Sequence, residues 1–403
     1  MIRSAPLGVT FCMEKFKFID LFSGIGGFHQ AMTLLGGKCV FASEIDSFCN
    51  DVYQRNYNMS SDVNIRDVIA ANVPSHDVLC AGFPCQAFSK AGKQDGLEDK
   101  TRGTLFFEIV RILREHHTKY IILENVRNLV SHDNGRTWSI IQQSLRSLGY
   151  RTTKDPLILS PHYFGIPQTR ERVIILGKYD PKNVAKPLKV NFPDFKSKTN
   201  CSIYDILDEN VNDPSYRISE YEEKVLNAWD EFYQGINLKV IGFPIWADYF
   251  KYTGSFDSFP NWKATFIQKN RSLYLENKAF IDKWLKKYND LKDFSPTHHK
   301  MEWQCGTRIS TLWEGVIQFR PSGIRVKTPD CFQALVALVQ IPVIGRYRRR
   351  LTVKEVARLQ SFPVDDPNSP FIPEANRQQA YKQFGNSVNV EVIRQAAVQL
   401  FTN

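Results

Sequence analysis

The chain has 403 residues, 43% of them apolar, which is enough for two compact units with cores of their own. Lys and Arg number 52 against 42 Asp and Glu, and the net charge of +10 leans toward a polyanionic partner while stopping short of a disordered basic tail. No apolar run can span a bilayer, since Ala334–Ile344 is broken by Gln340 and Pro342, and no signal-peptide core precedes Met13, so the expected compartment is the cytoplasm.

In chain order, Phe16 to Phe22 reads as a compact apolar strand, Gly26 to Leu35 as a helix ended by Gly36-Gly37, and Cys39 to Ala42 as a second strand. A short strand follows at Val63 to Ile65, then a strand at Asp77 to Ala81, a helix at Leu105 to Leu113 and a strand at Tyr120 to Leu123. Trp138 to Leu148 is a helix closed by Gly149, and Arg172 to Leu176 a last strand. Strands separated by helices imply an α/β fold with a doubly wound, mostly parallel sheet. From Pro187 to about Arg349 the periodicity dissolves. Order returns at Thr352, which with Glu355 predicts a capping box for a helix stopped by Pro363, and Val388 to Phe401 has helical spacing.

The irregular middle is electrically uneven. Residues 201–250 hold three basic and ten acidic residues, net −7, whereas 251–350 hold eighteen basic and eight acidic, net +10. This places a polyanion-binding face after Lys251 and keeps residues 201–250 away from it. The eight cysteines form no CxxC pair and no Cys/His cluster at metal spacing, which argues against a disulfide framework or a zinc site and leaves room for a nucleophile.

The first strand runs into Asp20-Leu21-Phe22-Ser23-Gly24-Ile25-Gly26-Gly27, a glycine-rich turn that opens a helix, and Glu44 lies just past the second strand, placed to accept hydrogen bonds from a ribose. The glycine that accommodates a pyrophosphate in GxGxxG is missing, so a nicotinamide dehydrogenase is disfavoured and S-adenosylmethionine is the candidate cofactor. Gly82-Phe83-Pro84-Cys85 puts a cysteine at a strand's carboxyl end, aimed by Pro84. In an open parallel sheet the strand ends share one rim, so Phe22, Glu44, Asp67, Cys85 and Glu124 should converge. If the strand at Arg172 runs antiparallel at the sheet's end, Gln168-Thr169-Arg170-Glu171-Arg172 faces the same rim. Thiol, carboxyl and guanidinium around a nucleoside suit attack on an electron-poor heterocycle. A zinc deaminase fails because PCxxC would need cysteine where Phe88 stands.

DLFSGIGGF, GFPCQAFSKAGKQ, GTLFFEIVRIL, ENV, QTRER, LTVKEVARLQSFP and AYKQFGNSV, in this order over residues 16–180 and 350–395, closely resemble the motif set of the bacterial DNA (cytosine-5)-methyltransferases of restriction-modification systems. About twelve residues precede the start of the resemblance, which makes Met13 a second candidate initiator. The resemblance implies a catalytic S-adenosylmethionine-binding domain at 1–185, a smaller irregular target-recognition domain with hinge at 186–365, and a C-terminal segment, 366–403, returning to the catalytic domain.

It further implies that Cys85 adds to carbon 6 of a flipped-out cytosine while Glu124 engages ring nitrogen 3 and the amino group, with Arg172 on the base carbonyl, Arg170 supporting the loop, and Pro84 and Asn125 completing the catalytic set. Phe22, Ser23, Gly24, Gly26, Gly27, Glu44, Ile45, Asp67, Asn386 and Ser387 should hold the cofactor. Ser89, Lys93 and Arg102 beside the Cys85 loop, and Arg320, Arg325, Arg348 and Arg349 in the recognition region, should contact double-stranded DNA. A monomer with no membrane association is expected, alongside a cognate restriction endonuclease acting on the same site without a stable complex. A tRNA cytosine methylase and a catalytically silent DNA-binding regulator are the rival readings. The first is disfavoured by the large recognition insert and the second by the complete catalytic set.

Overall fold

Phe16–Leu21 (β1) buries every residue but Lys17, as a central strand covered on both faces must. The computed structural model describes residues 15–84, 105–192, 201–237, 241–335 and 340–402. After β1 come α1 (Gly27–Thr33), β2 (Gly37–Ser43), α2 (Ser47–Tyr57), β3 (Val78–Gly82), α3 (Leu105–His116), β4 (Tyr120–Val126), α4 (Arg136–Ser147), β5 (Tyr150–Thr152), β6 (Leu157–Leu159), the two-residue β7 (Gln168–Thr169) and β8 (Arg172–Tyr179). The Asp46 carboxylate accepts from the N–H groups of Phe48 and Cys49 and so starts α2.

All of these strands but β7 form one sheet in the order β2-β1-β3-β4-β8-β5, with β6 also on β8. β2, β1, β3 and β4 are parallel, and β8 runs antiparallel to β4. Two differences from the sequence reading concern this sheet. β8 is not its last strand, because the short runs β5 and β6 cover its far edge. Val63 to Ile65 is not a strand: the Asn64 side chain accepts from Arg66 N–H and winds Ile65–Asp67 into a 3-10 turn. One face of the sheet, through Ile19, Leu79, Ile121 and Val173, packs on Phe106 and Ile109 of α3 and Ile141 and Leu145 of α4.

The chain folds as two compact units, one of residues 1–201, 333–337 and 353–403 and the other of 202–332 and 338–352. The second unit carries more regular structure than its broken periodicity suggests. It holds α5 (Glu220–Gly235), β9 (Ile245–Trp246), α6 (Asn261–Glu276), α7 (Lys278–Lys287), β10 (Lys300–Gln304), β11 (Val316–Arg320) and β12 (Gly323–Lys327), then β14 (Val343–Ile344) and β15 (Arg349–Arg350), with β13 (Phe332–Gln333) at the boundary. A capping box of Ser219 and Glu222 opens α5. Six strands pair in the order β15-β14-β11-β12-β10-β9, and Trp229, Phe232, Trp284, Ile317, Ile324 and Val326 fill a separate core.

The chain then returns to the first unit as α8 (Val353–Leu359), α9 (Arg377–Asn386) and α10 (Val390–Phe401). The expected boundaries at 185/186 and 365/366 therefore shift. Leu188 N–H donates to Thr152 O and Asn191 N–H to Gln399 Oε1, holding the segment after 185 on the first unit. Phe362 is buried against Phe371 and Phe384 of the same unit. The helix at Thr352 stops at Leu359, well before Pro363, because Ser361 takes a left-handed φ of 61°. No helix among the described residues is long and apolar enough to cross a membrane.

Candidate active site

Parallel pairing brings the carboxyl ends of β1, β2, β3 and β4 to one rim, where Phe22, Glu44, Phe83 and Glu124 follow or end their strands. The glycine turn is shaped by contacts no larger residue allows. A Cβ on Gly26, at φ 84°, would lie 2.3 Å from the Tyr57 ring, and one on Gly27 would lie 2.6 Å from Val388 Cγ2 and 2.9 Å from Ser387 Oγ. Phe22 itself is left-handed at φ 56°.

The Glu44 carboxylate clips this turn to the end of β2. Its Oε2 accepts from Gly24 N–H at 2.9 Å, and its Oε1 accepts from Ile45 N–H at 2.7 Å and Asp46 N–H at 2.9 Å. Beside it Ile45 and Phe48 are 74% and 53% exposed, an apolar lip next to an anchored carboxylate. Ser23 Oγ is buried under the turn with no hydrogen-bond partner among the described residues. An orphan hydroxyl, an anchored carboxylate and an exposed apolar lip fit a nucleoside with a hydroxylated sugar and a flat base. Asn386 is exposed at the end of α9, while Ser387 is buried and donates from Oγ to Val388 O. Asp67 sits exposed in the 3-10 turn rather than at a strand end.

Asp20, quoted in the motif but given no role from the sequence, is completely buried near the His29 backbone and the Tyr53 hydroxyl, and among the described residues neither carboxylate oxygen meets a donor at good hydrogen-bonding geometry. Burial pushes it well above the ordinary carboxylate range, which favours its neutral form. The signal in the sequence was an acid flanked on both sides by apolar pairs, Phe18-Ile19 and Leu21-Phe22.

On the other side of the rim, Glu124 in β4 faces Arg172 at the start of β8, with Arg172 Nε 3.0 Å from Glu124 Oε1. Burial lifts the Glu124 carboxyl above its ordinary value, against the pull of Arg172 and Arg170. Arg170 is buried and donates to the carbonyls of Leu335, Gly385 and Ser387. Burial draws it down to about 9, still protonated at neutral pH. Arg170 thus fixes the segment between α9 and α10 from beneath. Asn125, also buried, donates from Nδ2 to Phe83 O at 2.7 Å and so ties the end of β4 to the loop leaving β3. Pro84 follows, exposed. Cys85, Ser89, Lys93 and Arg102 lie outside the described residues. A shallow cleft opens among Glu124, Arg170, Arg172, Leu159, Val388 and Asn389. Burial pushes the Cys39 and Cys305 thiols up to about 12 and Cys80 well up, so none of these three is activated.

In the second unit the arginines expected on DNA are engaged. Arg320 and Arg325 both meet Glu302. Arg348 pairs with Glu223 and lies 4.3 Å over the Trp313 ring, and Arg350 pairs with Glu222. Arg349, expected on DNA, is buried instead and donates to the carbonyls of Asp208 and Arg350. The acidic and basic stretches are therefore not separate faces. A bridge of Arg217 with Arg349, and Ile218 N–H donating to Arg348 O, lay the start of α5 alongside β15, which counting charges along the chain does not register.

Residues 16–402 match the family described as C-5 cytosine-specific DNA methylase. Among curated proteins, Type II methyltransferase M.AluI of Cellulosimicrobium cellulans is 33% identical, over 94% of this chain and 91% of that protein. Type II methyltransferase M.HpaII of Haemophilus parainfluenzae is 34% identical over 94% and 88%. Among solved structures, a Spodoptera frugiperda DNMT2 variant has a TM-score of 0.54 at 21% identity, covering 96% of this chain and 99% of its own, a likeness of fold.

Proposed function

We infer a mechanism from one premise: this chain belongs to the C-5 cytosine-specific DNA methylase family and is a DNA (cytosine-5)-methyltransferase of the restriction-modification type. Its substrate is a cytosine swung out of double-stranded DNA, methylated at carbon 5 through a covalent adduct on Cys85. Phe22, Ser23, Gly24, Gly26, Gly27, Glu44, Ile45, Asp67, Asn386 and Ser387 would hold S-adenosyl-L-methionine, which when bound supplies an electrophilic methyl group. The orphan Ser23 hydroxyl and the anchored Glu44 carboxylate favour that fit.

The observation that carries the mechanism is the Glu124–Arg172 pair, on the same rim as the Phe83 carbonyl that Asn125 anchors two residues before Cys85. A cysteine thiolate attacks carbon 6 perpendicular to the ring, a direction blocked by stacked neighbours in a duplex, so the base must leave the helix. Glu124, its pKa lifted by burial, presents a proton to ring nitrogen 3 and accepts from the exocyclic amino group, which turns carbon 5 into an enamine nucleophile. Arg172 donates to the base carbonyl oxygen and fixes Glu124. Loss of the carbon 5 proton then expels the thiolate and restores the aromatic ring. The protein works in the cytoplasm as a monomer, beside a restriction endonuclease of the same target that forms no stable complex with it.

Bisulfite sequencing of DNA from a host expressing the protein tests activity and target together, with methylated cytosines in one sequence context as the expected result. Cys85→Ala should abolish transfer and leave DNA binding intact, and DNA carrying 5-fluorocytosine should trap a covalent adduct with the wild type alone. Turnover by the Ala variant would overturn the mechanism.

A further inference from the structure

The sheet of the second unit has two chemically distinct faces. Met301 and Trp303 of β10, Ile317 of β11, and Ile324 and Val326 of β12 point into the core. The alternate positions, Lys300, Glu302, Gln318, Arg320, Arg325 and Lys327, are half-buried on the other face. Register places Gln318, Arg325 and Glu302 side by side across three strands.

Within this row one carboxylate bridges two guanidiniums. Arg325 Nε donates to Glu302 Oε2 at 2.9 Å, and Arg320 Nη2 lies 2.9 Å from Glu302 Oε1. The Arg325 side chain makes no other hydrogen bond among the described residues, which leaves the donors of both its terminal nitrogens unspent. Burial works to raise the Glu302 carboxyl, but the two arginines hold it below its ordinary range, and burial together with Arg325 and Arg320 lowers Lys327. The cluster is thus a fixed donor fork beside a fixed acceptor.

That combination is wrong for a phosphate. A phosphodiester is anionic and would be repelled by Glu302, and a backbone grip needs no carboxylate. It matches the edge of one base pair in the major groove, where guanine offers two acceptors, O6 and N7, and its cytosine offers one donor, N4.

Resting on the reading of the protein as a DNA methyltransferase, we propose that Arg325 and Glu302 read one guanine·cytosine pair of the target. The Arg325 fork donates to guanine, the outer lone pairs of Glu302 accept from the cytosine amino group, and Arg320 holds Glu302 in place. Glu302 is then both a base contact and the residue that keeps the fork planar to the pair.

The test uses the full-length protein and a set of duplexes in which each base pair of the mapped target, other than the methylated cytosine, is replaced in turn. Methylation kcat/KM and equilibrium affinity are measured for wild type, Arg325→Lys and Glu302→Gln, with Tm as the check on folding. Arg325→Lys keeps the charge and loses the fork, so it should lose about tenfold or more of the discrimination at one guanine·cytosine position and none elsewhere. Glu302→Gln should relax the same position, and neither variant should change the salt slope on non-target DNA. An equal loss on every duplex in both variants would make the cluster a structural ion pair and overturn the proposal, as would a reduced salt slope in Glu302→Gln. Methylation with unchanged discrimination would overturn it while leaving the methyltransferase reading standing. A wild type that methylates no DNA would overturn that reading and this one together.

Discussion

Arg172 Nε approaches Glu124 Oε1 to 3.0 Å across the antiparallel pairing of β4 and β8, so the start of one strand supplies the counterion for the end of the other. The pair sets a balance. Burial favours the neutral carboxyl of Glu124, and Arg172 favours the carboxylate. Arg172→Gln removes the second influence, so the Glu124 pKa should rise further. If the protonated form serves ring nitrogen 3, the alkaline limb of single-turnover methyl transfer should move to higher pH even as the plateau falls. Glu124→Gln should keep its affinity for S-adenosyl-L-methionine by calorimetry while transfer slows by about 10² or more. A limb that moves to lower pH in Arg172→Gln contradicts the assignment.

Asn125 is oriented from both sides, donating to Phe83 O and accepting from Val126 N–H. Asn125→Ala strips a buried carbonyl of its donor, at a cost of about 1 to 3 kcal/mol. Asn125→Asp should be worse, because it sets a carboxylate against that carbonyl. Thermal unfolding should rank wild type above Ala above Asp, with transfer rate falling in the same order and cofactor affinity held. An Asp variant as stable as wild type would mean that this bond does not anchor the loop.

Much of this site was legible in the sequence because apolar strands ending in polar residues, read as a parallel sheet, place those residues on one rim. Phe22, Glu44 and Glu124 needed only that rule. Arg170 was legible as a residue but not as a contact, since its partners are carbonyls of Gly385 and Ser387 more than two hundred residues away. The second unit was opaque for a related reason. Its strands are two to five residues long, too short to show a period of two, and its charge pairs join segments far apart in the chain.

Asp20 offers a test of stability against pH. Its folded pKa stands well above the unfolded value, raised first by burial, so the group contributes most below pH about 4, where both states are protonated, and that contribution is lost as pH rises toward the folded pKa. Asp20→Asn removes the penalty of holding a proton at neutral pH. Its Tm relative to wild type should therefore climb as pH rises from about 4 toward 7. A difference that is constant with pH would show that the carboxyl is not held neutral.

The arginines of β15 and the turn before it should separate into two classes. Arg349 is buried and its donors serve carbonyls, so Arg349→Ala should lower stability by about 1.5 to 3 kcal/mol while leaving the salt dependence of DNA affinity as in wild type. Arg348 is half-exposed, stacked on Trp313 and neutralised by Glu223 at the start of α5. If a phosphate replaces Glu223 when DNA binds, Arg348→Ala should reduce the salt slope by roughly one, and Glu223→Gln, which leaves Arg348 without its counterion, should tighten binding to every sequence at low salt. Exposed pairs of this kind contribute little to folding, so neither change should move Tm by much. Affinity across a salt series decides between the alternatives. A slope that falls in Arg349→Ala but not in Arg348→Ala would place the phosphate contact on the buried guanidinium and reverse the assignment.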